Sequence, residues 1–104
     1  MSKPAHVNVL YPRKDGATFD MKYYLATHMP LVSKSWSSYG LKGYKVTQYA
    51  EDAPYTVGCL LEWESIEAFK KAGAGPEAAD VFGDIPKFSN EKPTLIAGEL
   101  VGSG

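Results

Sequence analysis

The chain is poor in the residues on which most chemical motifs are built. Only one cysteine, Cys59, occurs among 104 residues, so no internal disulfide can form. Its neighbours Val57, Gly58, Leu60 and Leu61 mark an apolar strand rather than the basic setting that activates a thiol, and Cys59 reads as core. The two histidines, His6 and His28, are far apart and have no zinc-type spacing with the cysteine, so no metal site is expected. Eleven basic against twelve acidic residues leave a net charge of -1. No segment gathers lysine or arginine with interleaved aromatics, which argues against nucleic acid as a partner. No apolar run is long enough to cross a bilayer, and Met1-Ser2-Lys3-Pro4-Ala5-His6 lacks the apolar stretch of a leader, so the expected location is cytoplasmic, away from any membrane. A glycine-rich phosphate loop after a strand, a Gly-x-Ser-x-Gly elbow and a distinctive Schiff-base lysine are also missing. Nucleotide, hydrolase and cofactor-dependent functions lose their usual support, and no cofactor is expected.

What is present is an ordinary globular composition, 44% hydrophobic and 22% charged. Such a chain predicts one domain over residues 1–104 with one core. Ala5 to Tyr11 alternates as a strand, with Ala5, Val7, Val9 and Tyr11 on one parity and His6 and Asn8 on the other. Arg13-Lys14-Asp15-Gly16 is a turn. Asp20 is placed as an N-cap, with Phe19 and Tyr24 at the positions of a hydrophobic staple. The run from Met21 to Ser38 has helical spacing, which Pro30 is expected to kink or break around His28 and Met29. Strands are predicted over Leu41 to Ala50 and Tyr55 to Trp63. A short helix capped by Ser65 follows, ended by Gly73-Ala74-Gly75, and Pro76 starts another helical turn reaching Phe82. Asp84 to Asn90 reads as an ordered loop anchored by Ile85 and Phe88, and the last strand as about Thr94 to Val101. Strand, helix, strand, strand, helix, strand is the βαββαβ order of an α+β ferredoxin-like sheet with helices on one face.

Both parities of the inner strands carry apolar or aromatic side chains: Tyr44 and Tyr49, Leu60 and Leu61, Leu95 and Ile96. The face away from the helices therefore needs a cover, and a second copy of the chain meets that need as a homodimer. The alternative is a monomer with scattered surface aromatics.

Three blocks carry a family likeness: Val9-Leu10-Tyr11-Pro12; Phe19-Asp20-Met21-Lys22-Tyr23-Tyr24-Leu25-Ala26-Thr27-His28-Met29-Pro30-Leu31; and Leu60-Leu61-Glu62-Trp63-Glu64-Ser65. In order and spacing they resemble the EthD family, whose name comes from ethyl tert-butyl ether degradation. Asp84-Ile85-Pro86-Lys87-Phe88-Ser89-Asn90 is similar to its closing loop. The resemblance spans nearly the whole chain and implies a dimeric α/β barrel of the ferredoxin-like superfamily. Related barrels include cofactor-independent monooxygenases, cyclases, dehydratases and isomerases. None of their catalytic residues transfers to this chain.

His28 is the best acid or base on offer, one turn after Tyr24 and one before Leu31, able to exchange a proton near pH 7. That suits enolisation, isomerisation or dehydration of an aromatic or carbonyl compound. Its alternative is a ring that merely bonds a carbonyl freed at the Pro30 kink. Tyr11, Tyr24 and Trp36 are candidate substrate contacts, with core packing as the alternative for each. Asp84 is a candidate partner of His28 if the closing loop folds over the helix, or else a turn residue. His6, beside the terminus at an edge-like position, reads as solvent or interface. The sequence thus points to a small hydrophobic molecule bound and turned over without a cofactor, or bound in the same cavity without conversion.

Overall fold

Strand β1 (Ala5–Pro12) buries Ala5, Val7 and Tyr11 on one face and leaves His6 and Asn8 half-buried on the other, as a period of two demands. The computed structural model describes residues 3–104; Met1 and Ser2, part of the segment expected not to be a leader, lie outside the described residues. Three further strands, β2 (Leu41–Gln48), β3 (Tyr55–Trp63) and β4 (Thr94–Glu99), complete a sheet in the order β2-β3-β1-β4, all pairs antiparallel. With helices between β1 and β2 and between β3 and β4, this is the α+β ferredoxin-like βαββαβ fold. One strand placement needs correcting. β1 lies between β3 and β4, so His6 sits on an interior strand, opposite Glu62 and Gly98, and not at an edge.

The first helical segment begins as its sequence dictates. The Asp20 carboxylate accepts the Tyr23 backbone N–H at 3.1 Å, and the rings of Phe19 and Tyr24 meet at 4.9 Å, closing the staple. After one turn, α1 (Met21–Tyr23), the backbone widens into a π turn over Tyr24–His28 and continues as α2 (Met29–Trp36). The kink or break expected around His28 and Met29 takes the form of this π turn: both residues keep helical angles, and the helix is widened rather than interrupted. The Met29 N–H reaches back five residues to the Tyr24 carbonyl, and this wider turn accommodates Pro30, whose ring would crowd a normal α turn. Gly40, at φ 113°, ends the segment in a left-handed conformation, where a Cβ would also press on Ala68.

Helix α3 (Ile66–Ala74) starts from Ser65, whose hydroxyl accepts the Ala68 N–H at 3.0 Å, and it ends within the Gly73-Ala74-Gly75 stretch, at an extended Gly75. Pro76 stands just before α4 (Glu77–Gly83). All helices pack on the face bearing Val7, Tyr11, Val57, Cys59, Leu61 and Trp63, which is where the core lies. The opposite face aligns Asn8 with Leu60 and Ile96 and Leu10 with Gly58 and Thr94. Tyr49 lays its ring over Gly58 there, where any side chain would collide with it. Ile96 remains 53% exposed.

The loop after α4 is tied down closely. It makes one tight turn over Ile85–Lys87 and buries Phe88. The Phe88 carbonyl accepts the Asp20 N–H at 2.8 Å, and Asn90 bonds both Thr18 N–H and the Gly16 carbonyl. These bonds fasten the loop to the start of α1 and hold Asp84 against the π turn. Among the described residues no helix is long and apolar enough to cross a membrane.

Candidate functional site

His28 closes the π turn with its ring buried between Tyr24, stacked at 5.3 Å and 17°, and Phe88 at 4.5 Å. Its Nδ1 lies 2.9 Å from Asp84 Oδ2, and the Tyr23 hydroxyl donates to Asp84 Oδ1 at 2.8 Å. The ring therefore bonds a carboxylate, not a backbone carbonyl freed by Pro30. Lys87 Nζ stands 3.7 Å from the same Oδ1.

The charges of this chain follow from competing effects. Burial would raise the Asp84 carboxyl, but hydrogen bonds from His28 and Tyr23, with the His28 and Lys87 charges, outweigh it and hold the carboxyl below its usual range. For His28 burial is the larger effect and lowers the imidazole below its ordinary value, against the opposing pull of Asp84. At pH 7 the pair is thus neutral imidazole and carboxylate. An ionised carboxylate can only accept, so the proton belongs on Nδ1 and the Nε2 lone pair is open.

His28 forms part of the wall of a cavity between the helices and the sheet, with an accessible volume of about 30 Å³. By the usual allowance of roughly 10–15 Å³ per molecule, that is room for about two waters. Tyr11, Tyr24 and Trp36 line it too, so three of the candidate contacts meet there, while Asp84 stands behind His28 and does not reach the cavity. The rest of the wall is mostly aliphatic and aromatic, including Val9, Met29, Val32 and Leu61. Val32, at the i+4 position from His28, lines the wall with it, while Leu31, expected to share a helix face with His28, does not. Phe82 and Leu95 line the cavity while 40% and 39% exposed, so its mouth lies between α4 and β4.

Cys59, read as core, is buried and also lines the cavity. Burial pushes its thiol up to about 11 and raises the Tyr11 and Tyr24 hydroxyls as well, so all three stay protonated at neutral pH. Trp63 lies outside the cavity, packed on Trp36 at 5.6 Å, as a core anchor should be. Tyr44 is 37% exposed and takes no part.

Two contributors escaped the sequence reading in these roles. From the sequence Tyr23 reads as one of several aromatics that could line a pocket, which it does not, and Phe88 only as an anchor of its loop. The signal for Tyr23 was its place one residue before Tyr24, which turns it away from the cavity and toward whatever covers the helix. For Phe88 no local signal existed, because its contacts with Tyr11, Tyr24 and His28 join segments far apart in sequence.

Among the described residues no group of three or more histidine, cysteine or acidic side chains is arranged to hold a metal. No protein-family profile and no curated protein matches the chain. Solved structures do match. An EthD family protein from Bacillus halodurans C-125 is 24% identical, with a TM-score of 0.73 over 94% of this chain and 99% of its own. A dimeric ferredoxin-like protein of unknown function from Jannaschia sp. CCS1 shares the fold at 15% identity and a TM-score of 0.65, covering 95% of this chain and 100% of its own. An EthD-like protein from Ralstonia eutropha JMP134 is 30% identical over 100% of this chain and 97% of its own, with a TM-score of 0.85. At that identity over its full length, the chain belongs to the EthD family.

Proposed function

We propose that the protein binds a small aromatic or carbonyl-bearing molecule in the cavity beneath α2 and that His28 exchanges a proton with it, without a cofactor. The observation that carries this reading is the buried relay Tyr23–Asp84–His28, which commits Nδ1 and leaves a basic Nε2 on a ring that forms part of an apolar cavity wall. A ring used only for packing needs no ionised carboxylate held behind it. At about 30 Å³ the cavity must widen to admit such a ligand, and the exposed Phe82 and Leu95 at its mouth are the side chains free to give way.

The test is a panel of small phenols and aryl ketones, followed for binding by thermal shift and for α-proton exchange into D2O by NMR. Exchange of a bound ketone is expected, falling about 10²–10⁴-fold in His28→Gln. It should hold through pH 7 and fade only below the ordinary imidazole value of 6.5, because the lowered affinity of His28 for a proton keeps its base form present down to that range. Binding without exchange would leave a non-catalytic binding protein; no binding by any member would overturn the site.

We further propose that two copies pair through the sheet face carrying Leu10, Leu60, Tyr49 and Ile96. That face has no helix over it, β4 is exposed along its whole length, and the Jannaschia protein of the same fold is dimeric. Sedimentation should give twice the chain mass, and Ile96→Asp should shift it toward one. A wild-type monomer at high concentration would end the pairing proposal and leave the cavity reading intact.

A further inference from the structure

Two side-chain nitrogens on residues of the cavity wall make no hydrogen bond among the described residues, and they are opposite in kind. One is His28 Nε2, an acceptor. The other is the indole Nε1–H of Trp36, a donor on a residue only 2% exposed. The remaining polar groups of the wall, the Tyr11 and Tyr24 hydroxyls and the Cys59 thiol, belong to residues grouped on its β1 and β3 side, Tyr11 and Tyr24 with ring centroids 5.9 Å apart. A buried donor with no acceptor is rare in native proteins and calls for one from outside the chain. Trp63 Nε1 is unpaired as well, but Trp63 stands behind Trp36 and outside the cavity, where a ligand does not reach it.

We propose that Trp36 is the specificity-determining donor of the cavity, binding an oxygen acceptor at one end of a flat ligand whose acidic group meets His28 at the other. This rests on the cavity being the ligand site, and it adds the ligand's second end. His28 and Trp36 are eight residues apart along one helical run, which is about 12 Å of rise. A single benzene ring with oxygens at para positions, lengthened by a hydrogen bond of roughly 3 Å at each end, is comparable in length to that backbone rise. Tyr24 beside His28, and Phe82 against Trp36 at 5.9 Å, give such a ring aromatic walls.

The two ends are chemically linked in a para-acyl phenol. When its O–H bond breaks, the proton bonds to Nε2, and the electron pair left on oxygen spreads through the ring onto the carbonyl oxygen. That is the atom the Trp36 N–H meets. Donor and base therefore act on one charge displacement, and a ring without the acyl oxygen gains from only one of them.

The matched probes are 4'-hydroxyacetophenone and 4-ethylphenol, alike in shape and different in the acyl oxygen. Wild-type protein should bind the ketone roughly tenfold more tightly, the worth of one well-made hydrogen bond in a dry site. Trp36→Phe should erase the preference, so that the two probes bind alike whatever loss the altered wall imposes on both. The wild-type spectrum supplies a second reading that needs no variant. Its two indole N–H resonances are told apart by contacts with Phe82 for Trp36 and Phe69 for Trp63, and only that of Trp36 should move downfield with the ketone. Equal binding of both probes, or a preference that survives in Trp36→Phe, overturns the role of Trp36 and leaves the cavity as a site. Failure of both probes to bind overturns both.

Discussion

Asp84→Asn is expected to reduce His28-dependent proton transfer by about 10²–10⁴-fold, nearly as much as loss of the imidazole itself. The reason is the tautomer. Asp84, ionised and held so by Tyr23 and Lys87, can only accept, and this keeps the proton on Nδ1 and the lone pair on Nε2. An amide can also turn its NH₂ toward Nδ1, which then must accept, and the proton moves to Nε2, where it blocks the base. The charge that would steady the imidazolium after it takes a proton is lost in the same step. Ring ¹⁵N shifts should show the Nε2–H form gaining population, and what proton transfer remains should be slower yet persist to lower pH, because without the carboxylate His28 is still harder to protonate and a weaker base. Tyr23→Phe leaves the carboxylate in place and should cost far less. An Asp84→Asn protein with the Nδ1–H tautomer and an unchanged rate would show that Asp84 only fastens the loop.

How far the sequence foresaw this depends on the range of the interaction. The capped start at Asp20, the strand over Tyr55–Trp63 and the βαββαβ order come from local pattern, and each is where that pattern put it. The π turn was not foreseen, because Pro30 signals only that something must give, and a five-residue reach from Met29 to Tyr24 is one of several ways to give. The interior place of β1 is likewise a property of the whole sheet. Tyr11, Tyr24 and Trp36 read as cavity aromatics and Trp63, followed at once by the Ser65 helix cap, as a core anchor, and the cavity wall includes the first three and not the fourth. The Asp84–His28 contact spans 56 residues. It was conceivable from the sequence but needed the loop's bonds to Thr18, Asp20 and Gly16 to bring it about.

Those bonds make Phe88 the residue on which fold and site depend together. Its ring is 3% exposed and sits within 4.5–6.3 Å of Tyr11, Phe19, Tyr23, Tyr24 and His28, mostly edge to face. Phe88→Ala removes a large buried ring and leaves a cavity, a change that costs about 3–5 kcal/mol. Against a total of roughly 5–15 kcal/mol for a domain of this size, that is a large fraction. At about 4–8 °C per kcal/mol, melting should fall by at least ten degrees. Function should fail before the fold does. With the ring gone, water reaches His28 from the loop side and the burial that lowers its proton affinity is relieved, so the imidazole titrates closer to 6.5 than in the parent protein. Phe88→Leu, which keeps the face filled, should recover most of the melting temperature and much of the depressed titration. A Phe88→Ala protein that melts with the parent would mean that the loop is held by its backbone bonds alone, and that the aromatic cluster around His28 contributes little to either.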